Sequence, residues 1–174
     1  VETVKRGISP LLEGRRLLTV IQRRDKLRIP LPDRFAERMA GRQIDHISRR
    51  AKYLLFHLDQ GEIMICHLGM SGKMTLKAAA SRKGDDVFEK HDHVIFESDR
   101  HDLVIFNDPR RFGLMTLCPA EELPSHPLFR QMGPEPLGNE FHSDYLIQRI
   151  KNRPSPIKTV LLDQRVVVGL GNIY

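Results

Sequence analysis

Tyr53-Leu54-Leu55-Phe56-His57-Leu58, then Asp59-Gln60-Gly61, then Ile63-Met64-Ile65-Cys66-His67-Leu68 is the stretch that decides the fold. Two apolar runs of strand length flank a short polar break ending in glycine, the pattern of a β-hairpin. Similar runs at 17–22, 44–48, 73–77, 93–97, 103–107 and 114–117 read as further strands, without long helices between them. Seven or eight short strands predict an antiparallel sandwich or barrel. Ahead of them, Val4, Ile8, Leu11 and Leu12 recur three and four apart with Lys5 and Arg6 between, which predicts an amphipathic helix over 2–12 closed by Gly14. Residues 35–39 can hold a helical turn or two.

The polar stretch 78–90, with Gly84 and no periodicity, reads as a mobile loop. Beyond 117 the composition shifts. Pro119, Pro124, Pro127, Pro134 and Pro136 crowd a segment that cannot build a ladder, which predicts a linker over 119–140 between a β domain at 1–118 and a helical segment at 141–174. Ser143 is the expected N-cap of a helix running to about 151. Pro154 and Pro156 break it, 157–162 begins another, and Val166-Val167-Val168-Gly169-Leu170-Gly171-Asn172 forms a glycine-bearing turn into a third. The expected class is α+β, mainly β.

Lys and Arg total 28 against 22 Asp and Glu, a net charge of +6. Residues 1–52 hold 14 basic and 6 acidic side chains, or +8, leaving 14 and 16, or −2, for the remainder. A basic front end is the footprint of a polyanion-binding face. Cys66 and Cys118 lack paired spacing and so offer neither a zinc site nor a disulfide framework. With no apolar run of about 18 residues and no signal-peptide pattern, a cytoplasmic protein is expected. The chain opens on Val1 rather than methionine and stops at Tyr174, just past a helix-start turn, so both ends read as cut from a longer protein.

Asp108-Pro109-Arg110-Arg111-Phe112-Gly113 places two guanidinium groups and an aromatic ring on a turn after an apolar run. Arginines grip phosphates or base edges, and a phenyl ring can enter a base stack. Asp108, between strand and arginines, reads as the partner that fixes Arg110 or Arg111. His91 and His93 are too few to chelate a metal.

His67-Leu68-Gly69-Met70-Ser71-Gly72, Asp108 to Gly113, and Val168-Gly169-Leu170-Gly171-Asn172-Ile173-Tyr174 together resemble the bacterial formamidopyrimidine-DNA glycosylase (MutM or Fpg) family. Arg49-Arg50-Ala51-Lys52-Tyr53-Leu54-Leu55, Lys90-His91-Asp92-His93, Gly133-Pro134-Glu135-Pro136-Leu137 and Ile157-Lys158 through Leu161-Leu162-Asp163-Gln164 match further motifs in order, so the resemblance spans the chain. It implies a β-sandwich followed by part of a helix-two-turn-helix domain. It also implies a base-excision repair enzyme, a glycosylase (hydrolase) and AP lyase on double-stranded DNA. Such an enzyme flips out 8-oxoguanine or formamidopyrimidines, removes them through a Schiff base and nicks the strand by elimination.

By the same resemblance Lys52 assists elimination and touches phosphate, His91 contacts DNA, Arg153 binds phosphate, and Asn172 presents amide groups to a phosphate. Met70, Arg110 and Phe112 fill the space the flipped base leaves; Asp163 and Gln164 are left structural. The family nucleophile is an N-terminal proline, whose α-amino group titrates near 8 rather than at lysine's ~10.4. That proline and its neighbouring glutamate fall ahead of Val1, and Glu2 is not that glutamate, so the 174 residues alone are expected to be inactive. The family's four-cysteine zinc finger falls beyond Tyr174, leaving a structural zinc to the full-length parent. An endonuclease VIII-like pyrimidine glycosylase and a non-catalytic damaged-DNA binder are the competing readings; the Arg110 and Phe112 motif favours the purine enzyme.

Overall fold

The computed structural model describes residues 1–81 and 87–173; residues 82–86 of the expected 78–90 loop, and Tyr174, lie outside them. The contacts divide the chain into two compact units, Val1–Glu121 and Glu122–Tyr174.

In the first unit, α1 (Glu2–Leu12) and α2 (Phe35–Met39) accompany eight antiparallel strands. These are β1 (Arg15–Gln22), β2 (Gln43–Arg50), β3 (Tyr53–Leu58), β4 (Glu62–His67), β5 (Lys73–Lys77), β6 (Asp92–Ser98), β7 (Leu103–Asn107) and β8 (Leu114–Pro119). Their order is β5-β7-β6-β1-β2-β3-β4-β8. β1 is the fold line. Arg15 and Arg16 pair with β2, whereas Leu17 to Gln22 pair with β6 in a ladder whose register shifts between Leu17 and Thr19, so one strand serves two leaves. A strand that switches leaves at an irregularity is how a continuous ladder becomes a sandwich.

The opening hairpin forms with Tyr53 opposite His67 and Leu58 opposite Glu62. Its turn uses Gln60 and Gly61 at φ of 62° and 73°. The strands are buried on both faces, which explains their continuous apolar runs. Val104 and Phe106 of β7 enter the main core with Phe35, Phe56, Phe96, Met39 and Met115, while Leu103 and Ile105 join Ile95 and Phe88 on the other side. Ile8 and Leu12 carry the buried face of α1 into the main core. Cys66 is a core side chain too, and burial pushes its thiol up in pKa.

β8 extends through Pro119, which pairs with Glu62 and so is part of a ladder, contrary to the expectation for that proline. An edge strand tolerates a residue without an N–H donor.

The second unit carries α3 (Ser143–Ile150) and α4 (Ile157–Leu162). The N-cap of α3 is His142 rather than Ser143: His142 Nδ1 accepts the Tyr145 N–H at 3.3 Å and leaves Ser143 as the first helical residue. Val166, Val167 and Val168 are fully buried, held by Tyr145 Oη donating to Val166 O at 2.8 Å and Val168 N to Pro134 O at 3.0 Å. The Gln164 side chain accepts from Gly169 N at 2.9 Å and donates to Leu162 O and Leu170 O at 3.1 Å each, which pins the turn ahead of Asn172. Asn172 and Ile173 lie in a turn, and the expected third helix falls outside the described residues.

Candidate nucleic-acid interface

Strand register gathers the chemistry of the first unit at one end of the sandwich. Arg50 pairs with Tyr53 and Tyr53 with His67, so the Ala51-Lys52 turn and the exit of β4 share that end. His67 also pairs with Leu114, and Lys73 and Asp92 each pair with Asn107. Hence the loops 68–72 and 108–113 both run from one leaf to the other, side by side, with His91 at the entry to β6.

Lys52 is half-buried, and the loss of water lowers its ammonium pKa from the ordinary lysine value. The Tyr53 and His67 rings stand 4.8 Å apart. His67 Nδ1 accepts from Gly69 N at 2.9 Å, and burial, with the charges of Arg28 and Lys52, holds its pKa below the ordinary histidine value. A neutral imidazole with Nδ1 occupied carries its proton on Nε2. His67 has no role in the sequence reading; its pairing with Tyr53, invisible in the motif, is what brings it beside Lys52.

Gly72 N donates to Leu68 O at 2.9 Å and closes the 68–72 turn, leaving Met70 at the tip with 74% of its surface exposed. On the adjacent loop Phe112 is 43% exposed, and the Arg110 guanidinium lies over its ring, 4.6 Å from the centroid. Arg111 has φ of 55°. Lys26, Arg28, Arg110, Arg111 and Phe112 border an open concavity of about 400 Å³, with Arg28 N bonded to Gly113 O at 2.9 Å.

Asp108 departs from its expected role. It is fully buried, and the donors its carboxylate meets are not the guanidinium groups. Oδ1 accepts from Ser71 Oγ at 2.5 Å and Oδ2 from Gly113 N at 2.8 Å. A buried carboxylate takes the donors that the fold supplies at close range, while flexible guanidinium groups stay in water. Asp108 N donates to His91 O at 3.0 Å, and His93 Nε2 meets Asp108 O at 2.9 Å. His93 is 2% exposed and its Nδ1 is buried without a hydrogen-bond partner. Its ring stands edge-on to His91, 6.2 Å away. Among the described residues no three His, Cys, Asp or Glu side chains could jointly hold a metal ion.

The second unit carries Arg153, Asp163, Arg165 and Asn172. Arg153 is exposed and Nη1 lies 3.6 Å from Asp163 Oδ2; Asp163 is gripped by Arg165 through two contacts of 2.9 Å. Asn172 is exposed. The Arg165 hydrogen bonds hold the Asp163 carboxyl at about 2, against an ordinary 3.8. A folded value below the unfolded one adds stability that is complete above the unfolded pKa and is lost as pH falls towards 2. With Arg165 in water the contribution is about 1 kcal/mol. Asp163→Asn is therefore expected to lower the unfolding free energy by that amount at pH 7 and by much less at pH 2.5, as read by denaturant titration at both pH values.

Two family descriptions match the chain: the formamidopyrimidine-DNA glycosylase N-terminal domain over residues 1–115, and the formamidopyrimidine-DNA glycosylase H2TH domain over residues 132–174. The chain is 50% identical over 181 residues to a formamidopyrimidine-DNA glycosylase of Azorhizobium caulinodans and 48% identical over 178 residues to one of Dinoroseobacter shibae. Each alignment takes in all of this chain but 62% and 63% of the relative, so the chain spans just under two thirds of their length. Among solved structures it is similar to Lactococcus lactis formamidopyrimidine-DNA glycosylase bound to DNA containing an abasic site, with a TM-score of 0.88 and 30% identity over 99% of this chain and 64% of that one. The same enzyme bound to DNA containing a formamidopyrimidine-deoxyguanosine lesion matches with a TM-score of 0.87 at 30% identity. The motifs, the two-leaf sandwich and the matched domains agree: the chain belongs to the formamidopyrimidine-DNA glycosylase family.

Proposed function

We propose that the protein of which these 174 residues form part is a base-excision repair DNA glycosylase with AP lyase activity, acting on oxidised purines such as 8-oxoguanine and formamidopyrimidines in duplex DNA. The observation that carries this reading is the pair of adjacent loops offering Met70, Arg110 and Phe112 to solvent above a buried polar frame. Large exposed side chains on a well-fixed turn suit insertion into a base stack, since the probe is ordered before it binds.

In this reading Phe112 wedges beside the vacated position, Arg110 hydrogen-bonds the orphaned partner base, and Met70 fills the remaining space. Lys52 faces a phosphate near the lesion; partial burial already removes water from its ammonium, so less desolvation is left for binding. His91, Arg153 and Asn172 hold the backbone, Asn172 through amide groups on a turn that Gln164 pins. The Schiff-base amine belongs to the parent's N-terminal proline, ahead of Val1, and the structural zinc to cysteines outside this chain. No helix among the described residues is long and apolar enough to cross a membrane; from the bacterial relatives we propose a monomeric enzyme of the cytoplasm.

Electrostatics supplies the test. If roughly three phosphates are neutralised, doubling the salt concentration should weaken the parent's affinity for an abasic-site duplex about six- to sevenfold. Fluorescence anisotropy across a salt series reads the slope, and salt-insensitive binding would sink the proposal.

A further inference from the structure

The two probe loops are fastened to each other, not only to the sheet. Ser71, one residue past the Met70 tip, donates its hydroxyl proton to Asp108 Oδ1 at 2.5 Å and accepts from Arg110 N at 3.2 Å. Asp108 in turn holds Gly113 N through Oδ2 at 2.8 Å, so one carboxylate and one hydroxyl close both ends of the turn that carries Arg110 and Phe112. The backbones touch as well: a Cβ added to Gly69 would lie 2.5 Å from the Phe112 carbonyl carbon. The backbone that carries this carboxylate is itself held, by His91 O accepting from Asp108 N and by His93 Nε2 on the Asp108 main-chain O.

We propose that Ser71 and Asp108 are positioning residues that lock the Met70 tip to the Arg110 and Phe112 tips, so that the three side chains enter a damaged duplex as one rigid body. The proposal rests on the reading of these loops as a lesion probe. Its physical ground is that separate loops would each lose conformational freedom on insertion, whereas loops latched by a charge-assisted bond have lost it on folding. Removing the hydroxyl leaves Asp108 Oδ1 and Arg110 N without their partner and should let the tips move independently.

The test uses the full-length parent carrying Ser71→Ala or Ser71→Thr. Duplexes contain a tetrahydrofuran abasic analogue with 2-aminopurine as the neighbouring base, which brightens when unstacked. Ser71→Ala is expected to reduce the preference for abasic over undamaged duplex about tenfold, with the 2-aminopurine rise at saturation reduced and undamaged-DNA affinity unchanged within about twofold. Ser71→Thr, which keeps the hydroxyl, should restore preference and fluorescence together. Asp108→Asn preserves the shape while weakening the charge-assisted bond, and should give the same loss in smaller measure; it serves as the second probe if the alanine variant folds poorly. A Ser71→Ala protein with wild-type preference and fluorescence overturns the latch, as does a threonine variant no better than alanine. A wild-type parent with no preference for abasic duplex instead overturns the functional reading, and the latch with it.

Discussion

Gly69→Ala is expected to cost roughly 3 kcal/mol of unfolding free energy, with Gly61→Ala as its control at about 1 kcal/mol. Both glycines sit in left-handed backbone, at φ of 67° and 73°, where a side chain crowds its own carbonyl. They differ in what surrounds them. A Cβ on Gly61 meets nothing within 4 Å, so only the conformational penalty applies. A Cβ on Gly69 would fall 2.5 Å from the Phe112 carbonyl carbon, 2.6 Å from Gly113 N and 2.7 Å from Phe112 O. Those are backbone atoms of a turn pinned by Asp108, and they cannot swing aside as a side-chain tip could. The alternatives open to the alanine variant are a strained core or two separated loops. Denaturant unfolding of both variants isolates the contact by difference: equal losses at the two sites would mean that the loops are not tightly apposed.

The same pair of loops shows where reading a sequence succeeds and where it stops. Strands β3, β5 and β7 are legible to the residue, because β3 and β7 are short apolar runs and β5 alternates polar Lys73, Thr75 and Lys77 with apolar Met74 and Leu76, patterns that local sequence alone specifies. The strand order is not. That β1 leaves β2 after Arg16 and shifts to β6 from Leu17 is long-range pairing, and nothing in Arg15-Arg16-Leu17-Leu18 announces it. Yet that shift makes two leaves, and two leaves bring 68–72 beside 108–113.

Asp108 illustrates the remaining difficulty. Its nearest charged neighbours in sequence are Arg110 and Arg111, and the obvious inference pairs them. The structure pairs it with Ser71, 37 residues away, because burial selects partners by reach in space and a fully buried carboxylate must have every nearby donor turned towards it. His67 is overlooked for a related reason: the motif displays it, but only the ladder opposite Tyr53 puts it next to Lys52. His142 wins the N-cap of α3 from Ser143 by geometry, its ring reaching the Tyr145 N–H that a serine one position later cannot.

Phe112→Ala separates the roles of probe and scaffold most sharply. Phe112 is 43% exposed and the exposed Arg110 guanidinium lies over its ring, 4.6 Å from the centroid, so the folded chain gains little from it. Truncation should change the unfolding free energy by no more than about 0.5 kcal/mol. For a side chain whose work is to stack against a base, the loss on DNA is far larger: stacking contributes roughly 1–3 kcal/mol per base, which translates to about a 30-fold weaker affinity for tetrahydrofuran duplex in the full-length parent. Phe112→Trp keeps a flat apolar face and should retain most of that affinity, whereas Phe112→Leu keeps bulk without a π face and should fall between the two. Equilibrium binding beside a thermal melt gives both numbers from one preparation. If alanine instead lowers the melting temperature sharply while leaving the abasic preference intact, Phe112 is packing rather than probe. The exposed tip would then have to be explained by Met70 and Arg110 alone, two flexible side chains that cannot replace a planar wedge between stacked bases.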